Sequence, residues 1–255
     1  LLFHILILYE MESDDDIFYN EPSLEDFLSL NEPINFEKIE GNIGISHCRW
    51  ATHGNVTKEN AHPHTDCSGN ISIVHNGIIE NFSELKEKLI QNGHKFSSST
   101  DTEVIAHLIE DSYNGNIEEA TRNALNQIEG SYALGVICAK EPDKLIAARN
   151  ESPLIIGLGK DENFIASDVP AILKYTRKVI YLENNEMAVL NKNKVAIKNI
   201  NGETINKKVN EINWSPELAE KSGYKHFMLK EIYEQPRTIT ETLNGRIQNG
   251  NINIK

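Results

Sequence analysis

The chain has 255 residues, which suffices for one large domain or for a domain followed by a connector. Its formal net charge of −13 argues against nucleic acid as the main ligand, because phosphate binding needs clustered lysine and arginine. The 3 cysteines are too few and too irregularly spaced for a disulfide framework, so a reducing, cytoplasmic setting is expected.

Few patterns stand out in the first forty residues. The apolar run 1–9 is far too short to cross a bilayer and lacks the basic start of a signal peptide, so it predicts a buried helix or strand and no membrane association. Residues 10–40 are acidic and irregular, with Ser23 as the expected N-cap of a helix.

Two short apolar runs, 43–47 and 71–75, predict strands that each end in polar residues. Three amphipathic helices follow: one after Asn81, one from about Ser99, and one over about 117–128. Further strands are predicted at 132–138, 144–148, 154–159, 163–167, 179–182, 187–190 and 195–200. Since the helices are grouped instead of alternating with strands, the pattern favours an α+β fold over a doubly wound one.

The first helix carries start and stop signals. Asn81 is a typical N-cap residue, Glu84 stands three positions on as in a capping box, and Gly93 follows the last apolar residue. After about residue 203 the pattern fades. The segments 230–236 and 244–251 predict a connector leading out of the domain.

Arg49 follows the first of the two apolar runs and precedes Trp50. An arginine grips a planar carboxylate with two parallel hydrogen bonds, so Arg49 is a candidate clamp for a substrate carboxylate. The alternative is an exposed arginine at a strand end, stacked on the indole. Taken alone, the residues do not decide between the two.

Asn76 and Gly77 follow the second run. Asn-Gly is first of all a turn dipeptide, because both residues tolerate positive φ. The functional alternative is an oxyanion hole, in which the Asn76 amide and the Gly77 N–H bind one developing negative charge. Asp101 is similarly open: a helix cap explains it, and its carboxylate could also hold a substrate ammonium.

A zinc site at His62, His64 and Cys67 is a third possibility. The spacing matches no standard structural zinc pattern, so no metal or other cofactor is expected. The two imidazoles are instead expected to hold neighbouring backbone. Cys67 has no sequence neighbour that would lower its pKa and is not a candidate nucleophile.

Several strings together are similar to the glutaminase domains of glutamine–fructose-6-phosphate aminotransferases, which are class II glutamine amidotransferases. The resemblance covers about residues 24–255. The strings are Arg49-Trp-Ala-Thr-His-Gly54, Asn60-Ala-His-Pro-His64, His75-Asn-Gly-Ile-Ile-Glu-Asn81, the segment 99–107, the segment 157–168 and Lys230-Glu-Ile-Tyr-Glu-Gln-Pro236.

The resemblance implies an N-terminal-nucleophile hydrolase fold: a four-layer αββα sandwich with two antiparallel sheets between helical layers. It implies a glutaminase domain over 1–228 and a connector over 229–255, leading to a sugar-phosphate isomerase domain of the same full-length chain. It also implies hydrolysis of glutamine to glutamate and ammonia for glucosamine 6-phosphate synthesis, without a cofactor, and a homodimeric full-length protein.

Residue roles follow by the same resemblance. Arg49 binds the α-carboxylate of glutamine and Asp101 its α-ammonium, while Asn76 and Gly77 form the oxyanion hole. The loop that closes over glutamine comprises Trp50, Ala51, Thr52 and His53.

The start of the chain departs from the family pattern. Mature family members begin with Cys-Gly-Ile, and that cysteine supplies both the thiolate nucleophile and, through its α-amine, the general base. This sequence begins with Leu1-Leu2, and its first twenty or so residues are atypical. The chain as given is therefore expected to be inactive, and a non-catalytic glutamine-binding or regulatory module is the alternative function.

Overall fold

The computed structural model describes residues 4–8, 42–47, 57–213, 224–243, 247–248 and 251–252. The helix expected after Ser23 lies outside these residues. The described residues up to 213 belong to one compact unit, and those from 224 onward belong to a second. Among the described residues, none of the helices is both long enough and apolar enough to cross a bilayer.

Thirteen strands of the first unit form two sheets. In chain order they are β1 (His4–Leu8), β2 (Ile43–His47), β3 (His64–Thr65), β4 (Ile71–Ile79), β5 (Gly130–Cys138), β6 (Leu145–Asn150), β7 (Ile155–Leu158), β8 (Asn163–Ala166), β9 (Lys178–Tyr181), β10 (Glu186–Leu190), β11 (Val195–Asn199), β12 (Thr204–Ile205) and β13 (Asn210–Glu211). One sheet has the order β12-β11-β10-β6-β5-β4-β3 and is antiparallel throughout. The other has the order β13-β9-β7-β8-β1-β2.

The second sheet contains a parallel edge. β1 pairs in parallel with β2 on one side and with β8 on the other, whereas β7, β8, β9 and β13 pair antiparallel. Because β8 and β2 run in the same direction, their carboxyl ends lie at the same edge of the sheet. The apolar run at the start of the chain thus forms a strand, one of the two structures expected for it.

Three helices of the first unit cover one face of the seven-stranded sheet. They are α1 (Phe82–Gln91), α2 (Glu103–Ser112) and α3 (Ile117–Leu125). Asn116 caps α3, since its side-chain oxygen accepts a hydrogen bond from Glu119 N at 3.3 Å. Short 3₁₀ helices span Lys58–Asn60 and Val169–Ala171.

The capping box expected for α1 is wrong. Asn81 does occupy the N-cap position, but its side chain makes no capping bond. Its amide nitrogen donates to Gln127 O at 2.9 Å, and its oxygen accepts from Glu129 N at 3.0 Å. Asn81 therefore fastens the start of α1 to the segment that leads into β5.

Two apolar cores explain why the central strands are apolar on both faces. Ile73 belongs to the core under the helices, while the next residue, Val74, belongs to the core between the two sheets; both are fully buried. Leu134 and Ala133 on β5 divide in the same way. Each large aliphatic side chain buried like this contributes roughly 1.5–3 kcal/mol. The packing makes three layers of described residues, helices on sheet on sheet, and the expected α+β class with two sheets is confirmed.

The second unit holds α4 (Phe227–Leu243), with Pro236 inside it, and a hairpin of β14 (Ile247–Gln248) and β15 (Asn251–Ile252). The sequence pattern had indicated only a connector for this part of the chain. The domain boundary expected at residue 228 stays a prediction.

Candidate functional site

Asn76 and Gly77 lie inside strand β4, which continues to Ile79. They pair with Ala133 and Tyr132 of β5 in an unbroken antiparallel register. The turn interpretation of this dipeptide is therefore wrong, and the strand is four residues longer than the apolar run had indicated. The local preference of Asn-Gly for turns is overridden by pairing with a neighbouring strand.

Gly77 has a backbone that only glycine adopts without strain. Its φ is +132°, outside the regions open to residues with a Cβ. A Cβ at this position would also lie 2.2 Å from the carbonyl oxygen of Ser131 on the neighbouring strand. The glycine is required by the path of the strand, and this path orients the Gly77 N–H.

Asn76 connects the two sheets. Its side chain is 7% exposed, and its Nδ2 donates a hydrogen bond to Ser167 Oγ at 3.1 Å. Its Oδ1 contacts Nε2 of His47. Ser167 follows β8 and His47 ends β2, so both partners come from the parallel edge of the six-stranded sheet. An amide nitrogen carries two hydrogens, and the bond to Ser167 uses one of them.

His75 points to the opposite face of β4, as alternation along a strand requires. Its Nε2 lies 3.3 Å from Ser131 O, which can only accept, so Nε2 donates and Nδ1 accepts from the Thr102 hydroxyl at 2.9 Å. Burial lowers the pKa of His75, while the nearby Asp101 carboxylate and the bond to Ser131 oppose this effect. The imidazole is thus held neutral in one tautomer.

Asp101 is buried, and it binds β4. Its Oδ2 accepts a hydrogen bond from Ile79 N at 2.8 Å. The N-cap position of α2 belongs to Thr102, which makes no side-chain capping bond. Together with the His75–Thr102 bond, this contact fixes the start of α2 on both sides of Asn76 and Gly77.

Glu103 holds the loop before α2 in place. Its Oε1 accepts from Ser97 N at 2.7 Å and its Oε2 from Ser98 N at 2.7 Å, and both serine hydroxyls donate to the same carboxylate. Burial by itself raises the pKa of Glu103, but the nearby His107 and the hydrogen bonds from Ser97 and Ser98 outweigh burial and hold the pKa well below its usual range. Asp101 thus follows a loop that is itself anchored.

The expected binding residues Arg49, Trp50, Ala51, Thr52 and His53 lie outside the described residues. Their neighbour His47 is described and stacks on His62, with ring centroids 4.2 Å apart. His62 accepts from His75 N at 3.4 Å, and His64 contacts the Thr100 hydroxyl at 3.1 Å. The two imidazoles of the 60–64 string therefore hold neighbouring backbone and side chains, as predicted.

Cys67 does not join His62 and His64. Its Sγ lies 3.6 Å from Nδ1 of His94 and 3.6 Å from Nδ1 of His107. Burial, followed by the negative charge of Glu110, raises the pKa of the Cys67 thiol, which leaves it a poor nucleophile. The zinc site considered from the sequence is not formed by that set of residues.

Chemically, the site combines amide N–H donors on β4, at Asn76 and Gly77, with the buried carboxylate of Asp101, which lies on the loop bound to the same strand at Ile79. N–H groups held rigidly in a strand stabilise an oxyanion without reorganising, and a carboxylate beside them attracts a cationic group. Sequence reasoning missed the roles of His75, Thr102 and Ser167. Only their occurrence within the motif strings marked these three residues, because their partners are distant along the chain.

Comparison with known proteins agrees with this chemistry. A family model described as a glutamine amidotransferase domain matches residues 47–174. The chain is 58% identical over 219 residues to the glutamine–fructose-6-phosphate aminotransferase (isomerizing) of Thermococcus kodakarensis, covering 85% of this chain and 36% of the relative. It is 53% identical over 222 residues to the protein of the same name from Pyrococcus horikoshii, covering 86% and 37%.

Among solved structures, the chain resembles a glutamine phosphoribosylpyrophosphate amidotransferase from B. subtilis. The TM-score is 0.51 and the identity 30%, over 60% of this chain and 34% of that one. This chain thus spans a little over one third of the length of the two aminotransferases that it matches.

Proposed function

Since this chain belongs to the glutamine amidotransferase family, we propose that it is a glutaminase domain that hydrolyses glutamine to glutamate and ammonia. In the whole protein the ammonia serves the synthesis of glucosamine 6-phosphate from fructose 6-phosphate. The proposed specificity rests on the two aminotransferase relatives, each more than half identical to this chain.

One observation carries the assignment of the site. Asn76 and Gly77 stand inside a fully paired strand, with a positive φ at Gly77 and with Asp101 bound two residues further on at Ile79. Turn propensity does not explain Asn-Gly at this position, because the two residues form no turn. Two N–H donors held in a rigid strand suit a tetrahedral oxyanion, which forms only during reaction.

Each candidate residue has a distinct role in this proposal. Arg49, two residues after His47, binds the α-carboxylate of glutamine, and Asp101 binds the α-ammonium. Nδ2 of Asn76 and the N–H of Gly77 stabilise the oxyanion. The segment from Trp50 to His53 closes over the bound substrate and excludes water.

The reaction proceeds through a covalent thioester. A thiolate attacks the side-chain amide carbon, the carbonyl oxygen becomes the oxyanion, and ammonia leaves with a proton from the general base. Water then cleaves the thioester to give glutamate and regenerates the thiol. The family supplies thiol and base from an amino-terminal cysteine.

The proposal extends to the natural protein as a whole. The segment 229–255 leads to a sugar-phosphate isomerase domain, the protein is a homodimer, and it resides in the cytoplasm. Neither nucleic acid nor membrane is a partner, and no cofactor takes part in the hydrolysis.

Calorimetry with glutamine tests the binding half of this proposal. Arg49→Ala is expected to weaken glutamine binding about tenfold to a hundredfold, since a charge-assisted hydrogen bond is worth about 1.5–3 kcal/mol. Arg237→Ala removes an equally charged, exposed side chain of α4 and is the matched control. Equal affinity in the parent and in Arg49→Ala would contradict the assignment.

The hydrolytic half is tested on the natural protein. Release of glutamate that depends on glutamine, and that stops when its thiol is alkylated, supports the glutaminase. Glutamine binding without any release of glutamate would instead identify a non-catalytic binding or regulatory module.

A further inference from the structure

A cluster of four ligand-type side chains lies apart from the site just described. Cys67 is in the turn between β3 and β4, His94 follows α1, and His107 and Glu110 stand three residues apart on one face of α2. One ligand atom from each residue can be chosen such that all four lie within 4.8 Å of one another. Three separate segments thus converge on one point.

The distances within the cluster are even. Sγ of Cys67 lies 3.6 Å from Nδ1 of His94 and 3.6 Å from Nδ1 of His107. Oε2 of Glu110 lies 3.1 Å from Nδ1 of His94 and 3.3 Å from Nδ1 of His107. In a tetrahedral zinc site, bonds of roughly 2.0–2.3 Å place neighbouring ligands about 3.3–3.7 Å apart. Three of these separations lie in that range, the Glu110–His94 separation of 3.1 Å is slightly shorter, and the two remaining separations within the cluster are at most 4.8 Å.

We propose that Cys67, His94, His107 and Glu110 bind one zinc ion. The set combines one thiolate, two imidazoles and one carboxylate, all of which are ordinary zinc ligands. On binding, the Cys67 thiol gives up its proton to solvent and the sulfur takes its place in the coordination shell. This site differs from the set His62, His64 and Cys67 considered from the sequence, and it departs from the expectation that no metal is bound.

His94 has the outer partner found in established zinc sites. Its Nε2 lies 2.7 Å from Oδ1 of Asp111, and a carboxylate in this position orients a metal-bound imidazole and increases its basicity. Nε2 of His107 lies 3.7 Å from Oε1 of Glu103, beyond hydrogen-bond distance. The Lys95 N–H donates to Sγ of Cys67 at 3.4 Å, which supports a thiolate at that atom.

The proposed role is structural. Four protein ligands complete a tetrahedron and leave no position for a substrate, unlike a catalytic zinc site. The ion would join the β3–β4 turn to the end of α1 and to the middle of α2. It would thereby secure the helix whose first residue, Glu103, anchors the loop before Asp101.

The test is metal binding by the purified chain. After removal of metal with a chelator, zinc is titrated against a chromophoric competitor, and Co(II) is added to a second sample as a spectroscopic probe. We expect one zinc per chain and a Co(II) spectrum with tetrahedral d–d bands and a sulfur-to-metal charge-transfer band. Failure to bind zinc above the background of a metal-free protein would overturn the proposal.

Variants assign the ligands. Cys67→Ser should abolish the charge-transfer band and weaken zinc binding by about a hundredfold, and Glu110→Gln should weaken it about tenfold. Cys138→Ala and the exposed Glu87→Gln are the matched controls and should bind like the parent. A charge-transfer band that persists in Cys67→Ser, or equal zinc affinity in Glu110→Gln and Glu87→Gln, would overturn the assignment. Circular dichroism of each metal-free variant establishes that it is folded.

Discussion

At position 77 the backbone geometry permits only glycine. Its positive φ and the 2.2 Å approach of Ser131 O act together, because a Cβ would strain the backbone and also collide with a carbonyl of a paired strand. The neighbouring Asn76 is fixed by its partners in the second sheet. Side chain and backbone donors of the candidate oxyanion hole are therefore positioned by independent contacts.

Gly77→Ala should lower the free energy of unfolding by about 3 kcal/mol or more, since a strained φ and overpacking each cost roughly 1–3 kcal/mol. The matched control is Gly69→Ala, which also has positive φ, +69°, but no atom within 4 Å of the added Cβ. We expect a loss of about 1–2 kcal/mol there. Urea unfolding measures both, and equal losses in the two variants would contradict the close approach.

His75 makes stability depend on pH. Burial lowers its folded-state pKa below the unfolded value of about 6.5, so between those two values the unfolded chain binds more protons. The stability contributed by the neutral ring is complete above about pH 6.5 and is lost as the pH falls toward the folded pKa. Two further groups act on the pKa of the ring: Asp101 opposes the shift, and His47, on the other face of β4, adds to it.

Urea unfolding of the parent and of His75→Gln at about pH 7.5 and about pH 5.5 checks this effect. We expect the parent to lose more stability between the two pH values than the variant, with a slope difference of at most about 1.4 kcal/mol per pH unit. Only the pH dependence of the two stabilities is compared. Hydrogen bonds that the Gln side chain at position 75 fails to replace shift the variant's stability at both pH values alike and do not affect this difference. Parallel pH profiles would show that His75 is not buried as a neutral ring.

At the level of elements, β4 and α1 show where local sequence signals mislead. Strand β4 continues through Asn76 and Gly77 because it pairs with β5 there and both of its faces are covered, one by helices and one by the second sheet. At α1, the asparagine expected to cap the helix instead bonds two backbone groups before β5. In both places a contact with a distant segment replaces the local one.

Asn81→Ala should therefore cost about 1–3 kcal/mol of unfolding free energy, because Glu129 N and Gln127 O lose their partner. Glu84→Gln, at the other position of the supposed capping box, should change stability by less than about 0.5 kcal/mol, as exposed substitutions usually do. Thermal and urea unfolding of the two variants distinguish these roles. Similar losses of stability in both variants would instead support a capping box formed by Asn81 and Glu84.

The sequence predicted α1, α2, α3 and most strands, because amphipathic and alternating patterns are local and strong. It did not predict the parallel edge of the second sheet, which has no local signal, or α4, whose Pro236 is typical of a break between elements. For the site, Asn76, Gly77 and Asp101 were selected from the sequence, whereas their connections were not. The bond from Asn76 to Ser167 joins residues 91 positions apart, a pairing that no local pattern contains.

On the scale of the whole first unit, the sandwich brings the ends of strands from different sheets together. Ser167 and His47 come from the parallel edge of one sheet, and Asn76 comes from β4, next to the edge strand of the other. The helical layer adds Asp101 and Thr102 on the opposite face of β4. Residues contributed by three layers form the proposed glutamine site only in the folded unit, so glutamine should also raise the melting temperature.

The central claim is that Asp101 holds the ammonium group of bound glutamine, and the glutamine affinity of Asp101→Asn tests it most directly. Asparagine can still accept from Ile79 N, so the fold is kept while the negative charge is lost. We predict binding weaker by about tenfold to a hundredfold in calorimetry, with the exposed Asp143→Asn as an unchanged control. Equal glutamine affinity in the parent, Asp101→Asn and Asp143→Asn would contradict the account.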